Sequence, residues 1–210
     1  MNWILENATL LDLIVQTAQA AQVPPQVVLG IIEVESGGSP YAARLNPTYP
    51  FTMMQAARPA GCSADVERMF QKTAWGLMQL MGATAREMGF EGWLSELTVP
   101  ETNIRLGVGF LGRKMSQYFE RYGLPGVLAA YNGGAPRLRP DGRFVNQGCV
   151  DRVTEAAKRF EKHIVDIVSN SETVAPQGVA VSEQKKKRSS AAPKVSPADG
   201  AETQDGAGGA

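Results

Sequence analysis

Apolar residues recur every three and four positions along most of this chain, the spacing of one face of an α-helix. Leu10, Leu11, Ile14, Val15 and Ala18 predict a first helix over residues 9–22, with Thr9 and Asp12 as its capped start. Val28, Ile31 and Ile32 mark a second helix, opened by Pro24 and Pro25 and closed by Gly37 and Gly38. Proline suits a first turn, where its missing N–H would have had no partner, and glycine suits a left-handed cap. Residues 39–73 are broken by Pro40, Pro47, Pro50 and Pro59, which leaves room for one short helix over 63–70 capped by Ser63. Leu77, Leu80, Met81, Thr84 and Met88 predict a helix or pair of turns over 74–88, ended by Gly89. Thr98, Pro100 and Glu101 form a start signal for a long helix to about Tyr122, with Ile104, Val108, Leu111 and Met115 as its core stripe. Gly107, Gly109 and Gly112 each cost about 1 kcal/mol relative to Ala inside a helix, so another backbone is expected to pack closely there. Pro125 opens a short buried helix ended by Gly133 and Gly134, and Val153, Ala157, Phe160, Ile164 and Ile167 predict a last helix over 150–168. No segment alternates as a strand, and residues 143–145 are at most a short extended piece. The pattern predicts an all-α domain over residues 1–170.

From Ser171 onward the pattern stops. The segment has no aromatic residue and no Leu or Ile, so it cannot bury enough apolar area to offset its chain entropy. Residues 171–210 are expected to be a disordered tail. The basic run Lys185–Arg188 inside it reads as solvated charge, with a contact to DNA, lipid or an acidic partner as the alternative.

Composition narrows the function classes. Twenty-one Lys and Arg balance 21 Asp and Glu, so no overall charge points to nucleic acid or an anionic surface. Two cysteines, Cys62 and Cys149, are compatible with a disulfide or with two free thiols and are too few for a disulfide framework or metal cluster. The one histidine, His163, reads as a surface residue. No run of some 18 apolar residues exists, so no transmembrane segment is expected. The start, MNWILENATLLDLIVQ, has no basic leader, and Glu6 and Asp12 interrupt its apolar run. The expectation is a chain made in the cytoplasm without a signal peptide.

The second helix carries the first candidate for chemistry. Glu35 follows Ile31 and Ile32 by four and three positions, which sets a carboxylate on the apolar side of the last turn, at the negative end of the helix dipole. Both placements disfavour ionisation, and a carboxyl kept protonated near neutral pH can act as a general acid. Glu33, two positions earlier, points to a roughly opposite side. On this helix alone, an ordinary surface glutamate is the competing reading.

Three further motifs change that balance: Gly76-Leu77-Met78-Gln79, Asn103-Ile104 with Gly107 and Leu111, and Ala130-Tyr131-Asn132-Gly133. With Glu35-Ser36 and in this order, they resemble the SLT-type lytic transglycosylases, a lysozyme-like family related to goose-type lysozymes. The resemblance implies a lysozyme-like helical fold and maps the catalytic glutamate to Glu35. It implies that Tyr131 helps position that acid, and that Ser36, Met78, Gln79 and Asn132 lie along the substrate groove. Tyr131 as a core residue and Met78 as plain packing are the alternatives. The sequence departs from the family pattern in two ways. Forty positions separate Ser36 from Gly76, more than is usual, and the added Arg44–Phe51 segment, rich in Pro and aromatics, reads as an ordered loop beside the groove. Thr73-Ala74-Trp75 also replaces a Ser- and Gly-containing approach to Gly76. This form looks like enzymes encoded by phages and prophages.

The activity so implied is cleavage of peptidoglycan glycan strands, at the bond from N-acetylmuramic acid to N-acetylglucosamine, with 1,6-anhydromuramoyl ends formed. One glutamate serves as acid and then base, and no metal or organic cofactor is required. A muramidase that uses water as nucleophile is one alternative. An inactive structural virion protein, of a different class, is another. A cytoplasmic chain that cuts the wall must be carried to it, which suggests a virion component with other virion proteins as partners.

Overall fold

The computed structural model describes residues 2–53 and 58–173, with side chains as far as Ile164. Residues 1–174 form one compact unit. The expected tail from 171, with its basic run Lys185–Arg188, lies outside the described residues except for the last turn of the final helix, which runs to Thr173.

The unit is mostly helical and its elements follow the apolar pattern closely. After a short α1 (Asn2–Glu6), α2 spans Ala8–Ala20 and α3 Pro25–Ser36. The cap of α2 is Asn7, whose side chain accepts from the Leu10 N–H at 3.0 Å, and not Thr9. Helix α3 ends where expected, on Gly37 in the left-handed region (φ 62°). The Trp3 indole N–H donates to the Gly38 carbonyl at 2.8 Å and so ties α1 to that end. Ser63 caps α4 (Ala64–Gln71), as its position implied.

The stretch 74–88 is the main correction. It is not one helix but a strand, a tight turn and a second strand, followed only then by α5 (Gly82–Glu87). Strands β1 (Ala43–Leu45), β2 (Thr73–Trp75) and β3 (Leu80–Met81) make a small antiparallel sheet in that order, with Arg44 opposite Ala74 and Trp75 opposite Leu80. The expectation of an all-α chain without strands holds for its mass but not for this corner. Gly76 explains the difference: its φ is +69°, and a Cβ there would stand 2.2 Å from the Leu97 carbonyl oxygen. A left-handed glycine pressed against another backbone breaks any helix through it. Leu77 still reaches the core, so the apolar spacing was right while the backbone path was not.

A 3-10 segment (Leu94–Thr98) leads into α6 (Pro100–Gly133). Its cap is Val99 without a side-chain bond, because the Thr98 hydroxyl donates to the Ser95 carbonyl instead. Gly123 (φ 62°, ψ −171°) breaks α6 where two helices were expected. Phe144 and Leu138 share the one bridge that the 143–145 piece makes. Helix α7 (Gln147–Thr173) then packs along α3.

The main core gathers α2, α3, α6 and α7 around Ile14, Leu29, Ile32, Ile104, Leu111 and Val127. Gly30 lets α3 and α7 touch: a Cβ there would lie 2.8 Å from the Val153 carbonyl oxygen and 2.9 Å from the Ala157 nitrogen. Close backbone packing was expected at Gly107, Gly109 and Gly112, but a Cβ at Gly109 would meet only the end of the Met88 side chain, at 3.4 Å. Gly112 faces Ala21 of the α2 end, but Gly107 faces the Met78 side chain. A smaller cluster of Trp75, Leu80, Leu94, Leu97 and Phe110 lies under the sheet. No helix among the described residues is long and apolar enough to cross a membrane.

Candidate active site

Four hydrogen-bonding side chains converge on the turn 76–79 and fix one wall of a cleft. Asn103 is fully buried; its amide donates to the Trp75 carbonyl (2.9 Å) and the Leu97 carbonyl (2.8 Å) and accepts from the Met78 N–H (2.8 Å). Ser36 Oγ lies 2.7 Å from the Leu77 carbonyl oxygen and 3.0 Å from that of Ile32. The Tyr131 hydroxyl donates to the Met78 carbonyl at 2.9 Å. Gln79 itself is held in the left-handed region (φ 48°), its amide donating to the carbonyls of Ala42 and Gly76, each at 3.0 Å. Asn103 is the fully buried member of the four, where losing a partner would leave a costly orphan.

The cleft has a volume of about 360 Å³ and is lined by Glu35, Gln79, Tyr131 and Asn132 on one side and by Arg44, Asn46 and Tyr49 on the other. An adjoining cavity of about 390 Å³ shares Tyr49, Gln79, Tyr131 and Asn132 and extends to Phe51, Phe110, Glu87 and Lys114. Together the two cavities form the candidate groove, with Tyr49, Gln79, Met81, Tyr131 and Asn132 lining both. Of the six expected site residues, Glu35, Gln79, Tyr131 and Asn132 line it. Met78 and Ser36 do not. The Met78 side chain is fully buried against Gly107, and Ser36 ties the end of α3 to the turn. Tyr131 also differs in detail, because its hydroxyl bonds Met78 and not Glu35.

The Glu35 side chain is only 11% exposed. Burial pushes its carboxyl above the ordinary range, against the opposing pull of Arg44 (Nη2 to Oε2, 4.0 Å), an Asn132 hydrogen bond and Arg152. The Asn132 amide donates to Oε1 at 3.5 Å. Burial wins because a carboxylate loses more in hydration than one exposed guanidinium returns. Burial and the Glu35 charge together push the Tyr131 phenol well up, so it stays neutral. Glu33 faces elsewhere, in a separate cleft, paired with Arg159 of α7.

From the 39–73 insert, Arg44, Asn46 and Tyr49 line the cleft. Strand β1 carries Arg44 to the mouth of the cleft, and Tyr49 packs edge-on to Phe51 at 5.7 Å. A buried network anchors the insert. Arg86 of α5 donates to both Glu67 oxygens (2.8 and 3.0 Å), Gln71 donates to Glu67 (2.9 Å), and Gln71 also pairs with the Met53 backbone. Burial raises the Glu67 carboxyl, but bonds from Arg86 and Gln71 outweigh it and hold it below the usual range.

Sequence reasoning missed this pair, since Glu67 and Arg86 sit 19 positions apart and carry no motif. It also missed Asn146, whose amide donates to the Asn132 side-chain Oδ1 and to the Ala129 backbone carbonyl, each at 3.0 Å. An asparagine just before a helix reads as a cap, so its sequence gives no sign of a site. Cys62 and Cys149 are both free, and His163 is exposed. Among the described residues no three His, Cys, Asp or Glu side chains gather as a metal site.

Residues 12–147 match the family model described as the Transglycosylase SLT domain. The chain belongs to that family, whose members are lytic transglycosylases acting on peptidoglycan. Comparison with curated proteins and with solved structures gave no match.

Proposed function

We propose that Glu35 is the general acid and then the general base of lytic transglycosylation at the β-1,4 bond from N-acetylmuramic acid to N-acetylglucosamine. Protonated Glu35 gives its proton to the bridging oxygen, the muramoyl C1–O bond breaks, and N-acetylglucosamine leaves with a free 4-hydroxyl. An oxocarbenium-like centre remains at C1. The Glu35 carboxylate then takes the proton of the muramoyl C6 hydroxyl as that oxygen bonds to C1. The 1,6-anhydro ring closes, Glu35 is protonated again, and no water is consumed. General acid–base help of this kind is worth about 10²–10⁴-fold.

The observation that carries this reading is the solitary state of Glu35. Two-carboxylate glycosidases set their acids about 5–9.5 Å apart across the scissile bond. Among the described residues, Glu35 is the one acid lining its cleft. The other acid in the groove, Glu87, belongs to the adjoining cavity and is paired with Arg113 at 2.6 Å. Gln79 and Asn132 supply neutral polar groups beside Glu35 that suit acetamido and hydroxyl groups of a sugar.

Digestion of purified sacculi followed by mass spectrometry tests it. Muropeptides with anhydromuramoyl ends are the expected products. Reducing muramoyl ends in their place would make the enzyme a muramidase, and a folded protein that releases nothing would make it a structural relic. The Trp75–Gln79 form and the long 36–76 separation further support a virion-borne enzyme, which proteomics of purified particles would test.

A further inference from the structure

We propose that Asn146 is a positioning residue for Glu35, setting the Asn132 carboxamide so that it turns an N–H, and not its carbonyl, toward the acid. The inference rests on the reading of Glu35 given above.

The polarity of the arrangement starts from a group that cannot be reversed. The Ala129 carbonyl is backbone and can only accept. Asn146 Nδ2 lies 3.0 Å from it, so Asn146 must present its NH₂ there. The second proton of that NH₂ points to Asn132, 3.0 Å away, which must therefore offer Oδ1. The Asn132 NH₂ is then left facing Glu35 Oε1 at 3.5 Å. Two amides thus pass on the direction fixed by one carbonyl of α6. Both ends of the relay are seated on regular structure. Ala129 and Asn132 are three apart in the last stretch of α6, and the Asn146 carbonyl accepts from the Cys149 N–H (2.9 Å) and the Val150 N–H (3.3 Å) at the start of α7.

The direction matters for catalysis. An N–H aimed at Glu35 favours the carboxylate, the form left once the proton has been donated and needed for the second step. A flipped amide would accept from the protonated acid and favour the starting form. Only the first arrangement stabilises what develops during reaction. The other groups facing Glu35 are Arg44 from β1, Arg152 and the Cys149 thiol from α7, and the neutral Tyr131 from α6. None of these fixes the Asn132 amide.

The test is a double-mutant cycle on the full-length chain with solubilised glycan strands. Asn146→Ala is expected to lower kcat about fivefold to tenfold, the worth of one oriented hydrogen bond, with KM essentially unchanged. It should also shift the alkaline limb of the pH profile upward, because Glu35 then holds its proton longer. Both effects should vanish when Asn132 is already Ala, because nothing remains to be oriented. Equal losses in the two backgrounds would mean that Asn146 acts only by tying the Ala129 carbonyl, and would overturn the proposal. Should Asn146→Ala fail to fold, Asn146→Asp replaces it in the same cycle. Its carboxylate cannot donate, and any effect that survives in the Asn132→Ala background would be that of added charge and would count against the relay. Glu35→Gln in parallel separates the two readings: if it stays active, the assignment of Glu35 fails. If it is dead while the cycle shows no coupling, only the relay fails.

Discussion

Arg44 Nη2 stands 4.0 Å from Glu35 Oε2 across the mouth of the cleft, the guanidinium largely exposed and the carboxylate largely buried. The cation works against the burial that raises the Glu35 carboxyl above its ordinary range. Arg44→Ala should therefore raise the Glu35 pKa further and move the alkaline limb of activity to higher pH. Pairs with one exposed member are worth about 0.2–1 kcal/mol, so the expected movement is about half a pH unit. Added salt should move the wild-type limb the same way, since it screens the exposed guanidinium. A limb that stays in place in both measurements would show that Arg44 does not act on the acid.

Glu35→Gln should abolish cleavage, by at least about a hundredfold, while Glu33→Gln leaves it intact. Their separation is spatial, because Glu33 serves the α3–α7 contact through Arg159. Stability should change as well. A carboxyl whose folded pKa is raised contributes stability at low pH that is lost as pH rises through that pKa. Glu35→Gln removes this loss, so its Tm should exceed that of the wild type near neutrality, with the gap closing on acidification below the raised pKa. Thermal scans across pH read this directly.

The Glu67–Arg86 pair predicts the opposite dependence. Its side chains are 6% and 1% exposed, and removing one partner of a buried pair leaves the other charged and unpaired. Glu67→Gln should cost about 3–5 kcal/mol in urea unfolding. The Glu67 carboxyl is held low when folded, so its contribution is present above the ordinary carboxyl pKa and lost as pH falls through the folded one. Wild type and variant should converge in acid. A loss below about 1 kcal/mol, the level of an exposed pair, would mean that the insert is not anchored by this network.

How much of this could be read from the sequence depended on how local the cause was. Helix α3 was evident because its prolines, apolar face and closing glycines all lie within fifteen positions. The sheet was not, since strands of two and three residues leave no room for alternation, and Arg44 meets its partner Ala74 thirty positions away. The spacing over 74–88 left a helix or a pair of turns open, because helical spacing of Leu77, Leu80 and Met81 is equally produced by a turn between strands. Motif membership did not reveal direction either. Gln79 and Met78 are neighbours, yet one borders the groove and the other is core. Asn146 acts through a backbone carbonyl 17 positions away, a relation only the folded chain contains.

Tyr131→Phe separates holding a wall from touching the acid. The ring packs against Phe110, centroids 5.5 Å apart, and phenylalanine would keep that contact. What it loses is the bond to the Met78 carbonyl, the side-chain tie from α6's last stretch to the turn that carries Gln79. The expected loss of stability is about 1 kcal/mol, the usual worth of such a bond. Turnover should fall along with it, because a loosened turn displaces Gln79 from the groove, where small misplacements are costly. The pH limbs should stay where they are, since the hydroxyl does not touch Glu35. A shifted alkaline limb with unchanged stability would instead place the hydroxyl on the acid during reaction, and the bond to Met78 would then belong to the resting enzyme alone.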